Sequence, residues 1–343
     1  MDNPDQATPP PGNALEFLKG LFWNRTEGRL RAGWRILAHL AFLAALVGLS
    51  VLAFSVVHEF VVKPFLSNPA VRLVANLTEV SLTWVCVLLS LVFAGRFIDH
   101  RPFKRFGFAL TRRWWLDLGF GLVLGALLMA AVFGIEYALG WITIAGYIQT
   151  GSSSFAAGFL FYIGLFIAVG IQEEVLTRGY WLRNLAEGFN FRVFGPKTAL
   201  LIGYVLSSSI FGFLHLGNPN ASAVSTINLI LAGFFLGLPY VLTGDLAIPI
   251  GLHISWNLFQ GNVFGFPVSG AAPSTTWIAI QQGGPEAWTG GAFGPEAGLI
   301  GLAAMLVGSG AIVLWLRFTH GSLSWCSGLA SYAADVKKGG ADE

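Results

Sequence analysis

Eight apolar runs divide this chain, and each is long enough to cross a bilayer at the roughly 17–25 residues that a helix requires. They lie at about Trp34–Val57, Leu73–Ala94, Leu118–Leu139, Phe155–Ile171, Thr198–Leu216, Thr226–Leu242, Ala247–Phe264 and Leu299–Leu316. A backbone inside hydrocarbon must satisfy its own hydrogen bonds, so runs of this length fold as helices. Hydrophobic residues make up 55% of the chain and charged residues 11%, with a mean hydropathy of +0.66. Soluble domains carry roughly 25% charged residues. The expected fold is therefore all-α, a polytopic membrane helix bundle of about eight transmembrane helices.

Three parts are expected in chain order: an N-terminal segment over residues 1–24, a multi-pass membrane domain over 25–318, and a polar tail over 319–343. Met1–Gly12 is polar and proline-rich, a composition that cannot bury enough apolar surface to order itself. No apolar core follows a short basic start, so no cleavable signal peptide is read there. Leu15–Trp23 reads as a short amphipathic piece for the membrane surface. Basic residues gather in the N-terminus, in the connection Arg96–Asp117, in the segment Arg178–Lys197 and in the tail. The connections Gly140–Ser154 and Gly265–Gly298 are nearly free of Lys and Arg. By the positive-inside rule both termini are cytoplasmic and those two connections lie outside. This places the chain in the cell membrane. Gly265–Gly298 is long for a structureless connection and is expected to act as a lid or mobile segment, with Trp277 and Trp288 as interfacial anchors.

The polar residues inside the runs carry the chemistry, because a charge in a membrane helix is costly and is a functional candidate by default. Gln172-Glu173-Glu174-Val175-Leu176-Thr177-Arg178 directly follows the fourth run. If the helix continues, Glu174 and Arg178 share a face and can pair. Glu173 points about 100° away and stays free of that pair. Downstream, Phe211 and His215 are spaced by four on one helical face, as are His253 and Asn257. A lone histidine in an apolar helix is usually a satisfied core residue. Two of them beside a Glu-Glu pair supply a carboxylate, two imidazoles and an amide. A carboxylate near an imidazole can activate water as a general base. An imidazole with an amide can donate to a developing oxyanion. Glu173, His215 and His253 are equally a ligand set for one divalent ion such as Zn²⁺. Glu79, with Asn76 in the second run, reads as a buried structural group with a helix partner.

Other intramembrane chemistries lack support. There is no HExxH for a zincin-type site. Thr243-Gly244-Asp245 lacks the first glycine of a GxGD aspartyl site, and Ser207–Ser209 is not in a GxSxG elbow. Cys86 and Cys326 suggest neither a disulfide framework nor a cysteine metal site. No basic, aromatic-studded patch points to nucleic acid.

Glu173-Glu174-Val-Leu-Thr-Arg178, Phe211-Gly-Phe-Leu-His215 and His253-Ile-Ser-Trp-Asn257 stand in the order of the EExxxR, FxxxH and HxxxN motifs. In this the chain resembles the CPBP intramembrane proteases, the CAAX protease and bacteriocin-processing (Abi) group, over about residues 155–262. The resemblance implies an intramembrane endopeptidase of the glutamate or metallo type. By it, Glu173 and His215 would activate water, and His253 and Asn257 would stabilise the oxyanion. Glu174, Arg178 and Phe211 would support the site. The implied partners are a peptide or membrane-protein substrate and the lipid bilayer. Two readings of other classes stand beside it. One is a non-catalytic immunity or scaffold protein that binds a peptide. The other is a proton-coupled transporter using Glu79, Glu173 and Glu174, though no inverted repeat is visible.

Charges from Gln172 to Lys197 suggest that the hairpin between the fourth and fifth runs has its apex in the cytosol, with the site on that side. The turn Gly217–Asn220 would then lie within the membrane, which is tolerable where it lines a protein-enclosed cavity.

Overall fold

The computed structural model describes residues 19–151, 154–321 and 323–332. Residues 1–18 and 333–343, and the side chains of Asn76 and Glu79, lie outside the described set, and with them the readings made for most of the N-terminal segment, the tail and those two polar groups.

The chain is a helix bundle. In order it runs α1 (Ala32–Val57), α2 (Pro69–Phe93), α3 (Arg112–Ala138), α4 (Phe155–Glu174), α5 (Arg183–Phe189), α6 (Gly195–Leu214), α7 (Ala223–Thr243), α8 (Ala247–Leu258) and α9 (Leu299–His320). A π-helical stretch, Val175–Leu182, joins α4 to α5 without a break, giving one helix of 35 residues over Phe155–Phe189. Local signals account for several ends. Ser154 accepts from the Ala157 N–H at the start of α4. Ser222 and Ser225 form a reciprocal capping box on α7, which ends at Gly244 in the left-handed region (φ 78°). Leu52, Leu127, Leu160 and Leu306 lie exposed on the outer helix faces, as lipid-facing residues must.

Among the described residues, seven helices are long and apolar enough to span a membrane. The run read at Ala247–Phe264 differs: α8 has 12 residues and continues as a π-helical turn, Phe259–Val263. It is also buried along most of its length, because it packs against α3 almost backbone to backbone. A Cβ on Gly121 would stand 2.5 Å from the Ile248 carbonyl oxygen, and one on Gly251 would stand 2.3 Å from that of Leu118. Small residues permit this approach, and it carries His253 into the bundle centre.

The two connections without basic residues are not structureless. Ile142–Gln149 (β3) pairs antiparallel with Thr276–Gln282 (β4), with Ile144 opposite Ile280 and a register shift before Gly146. A second hairpin of two-residue strands, Trp23–Asn24 (β1) and Arg29–Leu30 (β2), precedes α1. Trp277 and Trp288 are half-exposed, as anchors at a surface would be.

The basic residues near the apex of the α4–α6 hairpin are also not simply solvated. Arg29, Arg35 and Arg101 all pair with Glu187, at 2.7, 2.6 and 2.5 Å, and Arg35 is also 3.1 Å from Asp99. All five side chains are buried. This knot binds the first hairpin, α1, the α2–α3 connection and α5 to one another. Such a network is stable only when its charges are mutually satisfied.

Candidate active site

The 35-residue helix brings Gln172, Glu173, Glu174, Thr177 and Arg178 to the bundle interior midway along its length. α6 delivers Phe211 and, at its C-terminal cap, His215; α8 delivers His253 and Asn257. π-helical turns are frequent at functional sites because they rotate the side chains that follow them, and the one here begins immediately after the two glutamates.

Glu174 is fully buried, with Oε1 committed and Oε2 without a hydrogen-bond partner among the described residues. Its Oε1 accepts from Arg178 Nη1 at 2.9 Å and lies 2.8 Å from His253 Nδ1. This is the pairing that the four-residue spacing predicts. Arg178 is held three further ways: Nη1 to Thr177 Oγ1 at 2.8 Å, Nη2 to the Gly233 carbonyl at 3.0 Å, and its guanidinium carbon 4.4 Å above the centre of the Phe211 ring. A cation over an aromatic face gains electrostatically and more so when desolvated. Phe211 in turn lies 4.9 Å from the His215 ring centre and 6.2 Å from that of His253. It thus positions the cation and both imidazoles together.

Glu173 is different. It is partly accessible, and its Oε2 accepts no hydrogen bond among the described residues. That oxygen lies 3.9 Å from His215 Nε2 and 3.9 Å from His253 Nε2. The other nitrogen of each ring is occupied. His215 Nδ1 is 2.8 Å from the Phe211 carbonyl oxygen, which can only accept, so Nδ1 carries a proton and Nε2 is the nitrogen left to face Glu173. His253 Nδ1 donates to Glu174, which aims its Nε2 at the same space. The three motifs therefore meet around one point.

That point opens into a cavity of about 400 Å³ lined by Glu173, His215, His253 and Asn257. The rest of the wall is largely apolar, from residues such as Phe166, Leu214, Phe235, Trp256 and Met305. The donor types suit a divalent cation. Among the described residues, however, no three His, Cys, Asp or Glu groups gather closely enough to hold one, and the 3.9 Å separations match a space for one small polar molecule.

Sequence reasoning missed the outer wall. The Gly265–Gly298 connection is not a mobile flap: Phe293 and Ala297 belong to the same apolar core as Phe211 and Trp256. Gly270 (φ 85°) sits so tightly on the Gly217–Asn220 turn that a Cβ there would stand 1.7 Å from the Pro219 oxygen. Asn218 donates to the Ser269 carbonyl at 3.1 Å and Asn220 to that of Gly270 at 3.2 Å, so the turn's polar groups find partners inside the protein. From this connection Glu296 reaches the cavity wall. Its Oε1 accepts from the Ser269 backbone N–H and hydroxyl, and its Oε2 accepts from Gln260 Nε2. No motif marks Glu296. Its charge in an otherwise apolar and Gly-rich stretch was the available signal.

Burial pushes the Glu296 carboxyl up to about 7 from an ordinary 4.5. The folded protein thus holds this proton more tightly than the unfolded chain does. The stability it contributes is present below about pH 4.5 and is lost as pH rises through about 7. Thermal melting of wild type and Glu296→Gln at a series of pH values should show wild type losing ground to the variant across that window. A constant difference would contradict the buried carboxyl.

The site is thus an apolar cavity inside a helix bundle, with one glutamate oxygen facing two anchored imidazoles. Residues 153–259 match the family model described as type II CAAX prenyl endopeptidase Rce1-like, and all three motifs fall within that segment. The matched segment is less than a third of the chain, and the match agrees with the resemblance carried by the motifs. The uncharacterized protein YyaK of Bacillus subtilis is 28% identical over 247 residues, covering 66% of this chain and 76% of its own length. No solved structure matches the chain.

Proposed function

We propose that this protein is an intramembrane endopeptidase in which Glu173 and His215 activate a water molecule. The observation that carries this is the convergence of two Nε2 atoms on one unpaired Glu173 oxygen, 3.9 Å from each, while the neighbouring glutamate is consumed in structural bonds. Water between Glu173 Oε2 and His215 Nε2 would donate to both acceptors. Its oxygen attacks the peptide carbonyl carbon as its proton passes to Glu173. The oxyanion takes hydrogen bonds from protonated His253 Nε2 and the Asn257 side-chain amide. The proton held by Glu173 then goes to the leaving nitrogen as the C–N bond breaks. Glu174, Arg178 and Phe211 keep this set in register, since catalytic groups tolerate only small displacements.

The substrate under this reading is a peptide or membrane protein drawn from the bilayer, with the chain in the cell membrane and both termini cytoplasmic. The membrane domain spans residues 25–318, with its catalytic helices within 155–262. Zinc would require Glu173, His215 and His253 to stand closer together than they do, and the reading proposed here is metal-free.

A peptide-library cleavage assay read by mass spectrometry tests the proposal, with metal analysis of the same preparation. Asn257→Ala should lower turnover about 10²–10³-fold, the usual loss of one oxyanion donor. His215→Ala and His253→Ala should lose activity without any change in metal content, and chelators should leave the wild type active. Stoichiometric zinc that disappears with either histidine would replace this mechanism with a metal-dependent one.

A further inference from the structure

We infer that Gln172 is a substrate-positioning residue, whose side-chain amide oxygen accepts a main-chain N–H of the peptide close to the bond that is cut. The inference rests on the peptidase reading of the site and adds a contact that none of the three motifs contains.

Most polar groups on the cavity wall already have an occupation. Under the proposed mechanism Glu173, His215, His253 and Asn257 serve the water and the oxyanion. Thr177 Oγ1 donates to the Glu173 carbonyl and accepts from Arg178. Asn218 donates to the Ser269 carbonyl, and Ser269 and Gln260 both donate to Glu296. Gln172 lines the same cavity, and its Oε1 is buried without a hydrogen-bond partner among the described residues. A buried amide oxygen left unbonded costs free energy, so its presence on the wall of a site calls for a donor that a ligand brings.

The helix that carries Gln172 does not supply that donor. Its neighbours on the cavity-facing stripe are Val169, three residues before, and Leu176, four residues after, and both are apolar. Glu173, the next residue, has no proton to give when ionised. α8 forms the adjoining wall and comes close to α4, since a Cβ on Gly170 would stand 2.7 Å from Ile254 Cγ1. Gln172 and Glu173 thus face the cavity from one wall, and His253 and Asn257 from the next. A peptide whose scissile carbonyl meets the water at Glu173 carries further peptide groups past Gln172. An extended chain advances about 3.3 Å per residue, and adjacent α-carbons on the helix stand about 3.8 Å apart. Each non-proline residue of that peptide brings one N–H, whatever its side chain. An acceptor beside Glu173 therefore sets the register of the main chain against the attacking water, and small errors in such placement are costly.

The test pairs one side chain with one atom of the substrate. The best-cleaved peptide of the library is resynthesised with a single N-methyl group at each peptide nitrogen within two residues of the scissile bond. The ratio kcat/KM is then measured for full-length wild type and Gln172→Met in detergent. Methionine keeps the length of the side chain and removes the amide. On the unmodified peptide Gln172→Met should lower kcat/KM about tenfold, the scale of one hydrogen bond in a desolvated site. At one nitrogen the methyl group should cost wild type about tenfold and the variant less than about twofold. At the other nitrogens it should affect both proteins alike. Full activity of Gln172→Met would overturn the inference. So would equal losses in the two proteins at every nitrogen, because a merely structural glutamine lowers the rate without reference to any one N–H. Should Gln172→Met fail to fold, Gln172→Asn, which draws the amide back by one methylene, takes its place with the same outcomes. A wild type that cleaves no peptide refutes the peptidase reading and this inference with it, whereas normal cleavage indifferent to Gln172 refutes this inference alone.

Discussion

Replacing Glu173 by glutamine should leave a folded protein that binds peptide and turns it over about 10²–10⁴-fold more slowly, the loss that accompanies removal of a general base. Glutamine keeps the volume and one acceptor oxygen but cannot take a proton. The fold should tolerate it, because the Glu173 side chain is partly accessible and its Oε2 has no hydrogen-bond partner among the described residues. The effect should appear in kcat with KM nearly unchanged, since the lost interaction is made in the transition state. The same substitution at Glu174 should behave differently. Glu174 is buried and holds Arg178 and His253 at once, so Glu174→Gln should lower thermal stability together with activity. An assay in which Glu173→Gln cleaves as well as wild type would end the mechanism, whatever the behaviour of Glu174.

The contrast between the two glutamates was legible before any coordinates, and the reason is geometric. Residues four apart on a helix share a face and adjacent residues do not, so Glu174 had a partner in Arg178 and Glu173 had none. The same rule put Phe211 under His215. Gly121 and Gly125 sit against α8, and Gly119 meets nothing. What could not be read is long-range. No local pattern says that Ile142–Gln149 will find Thr276–Gln282 more than a hundred residues away, because strand pairing is specified by the partner. Nor does a count of basic residues show that Arg29, Arg35 and Arg101 are drawn into the interior by a distant Glu187. Glu296 was hidden for a related reason. Its role depends on how a connection folds back over the helices, and helical periodicity is silent about connections.

Arg178 is where fold and site depend on the same side chain, and its replacement by methionine should be the most destabilising single change in the cavity's surroundings. Methionine approximates the length and volume of the alkyl stem, so packing against Phe211 is partly kept. What is lost is the charge. Glu174 would remain buried with one of its two protein partners, the Gly233 carbonyl would lose its donor, and Thr177 Oγ1 would lose another bond. Removing one member of a buried ion pair costs about 3–5 kcal/mol, because the survivor stays desolvated and uncompensated. Activity should fall with stability, since Glu174 holds the His253 ring through Nδ1. The double variant Glu174→Gln, Arg178→Met separates the two effects. Neutralising the survivor should return part of the lost stability, giving a coupling energy of about 1 kcal/mol or more in a double-mutant cycle. It should not restore turnover, because an amide cannot hold the His253 ring as the carboxylate does. Thermal melts of the four proteins in one detergent, with cleavage rates measured alongside, give both readouts. Strict additivity of the two substitutions would show that Glu174 and Arg178 are neighbours without an energetic bond, and the account of the site as a held carboxylate beside a free one would have to be abandoned.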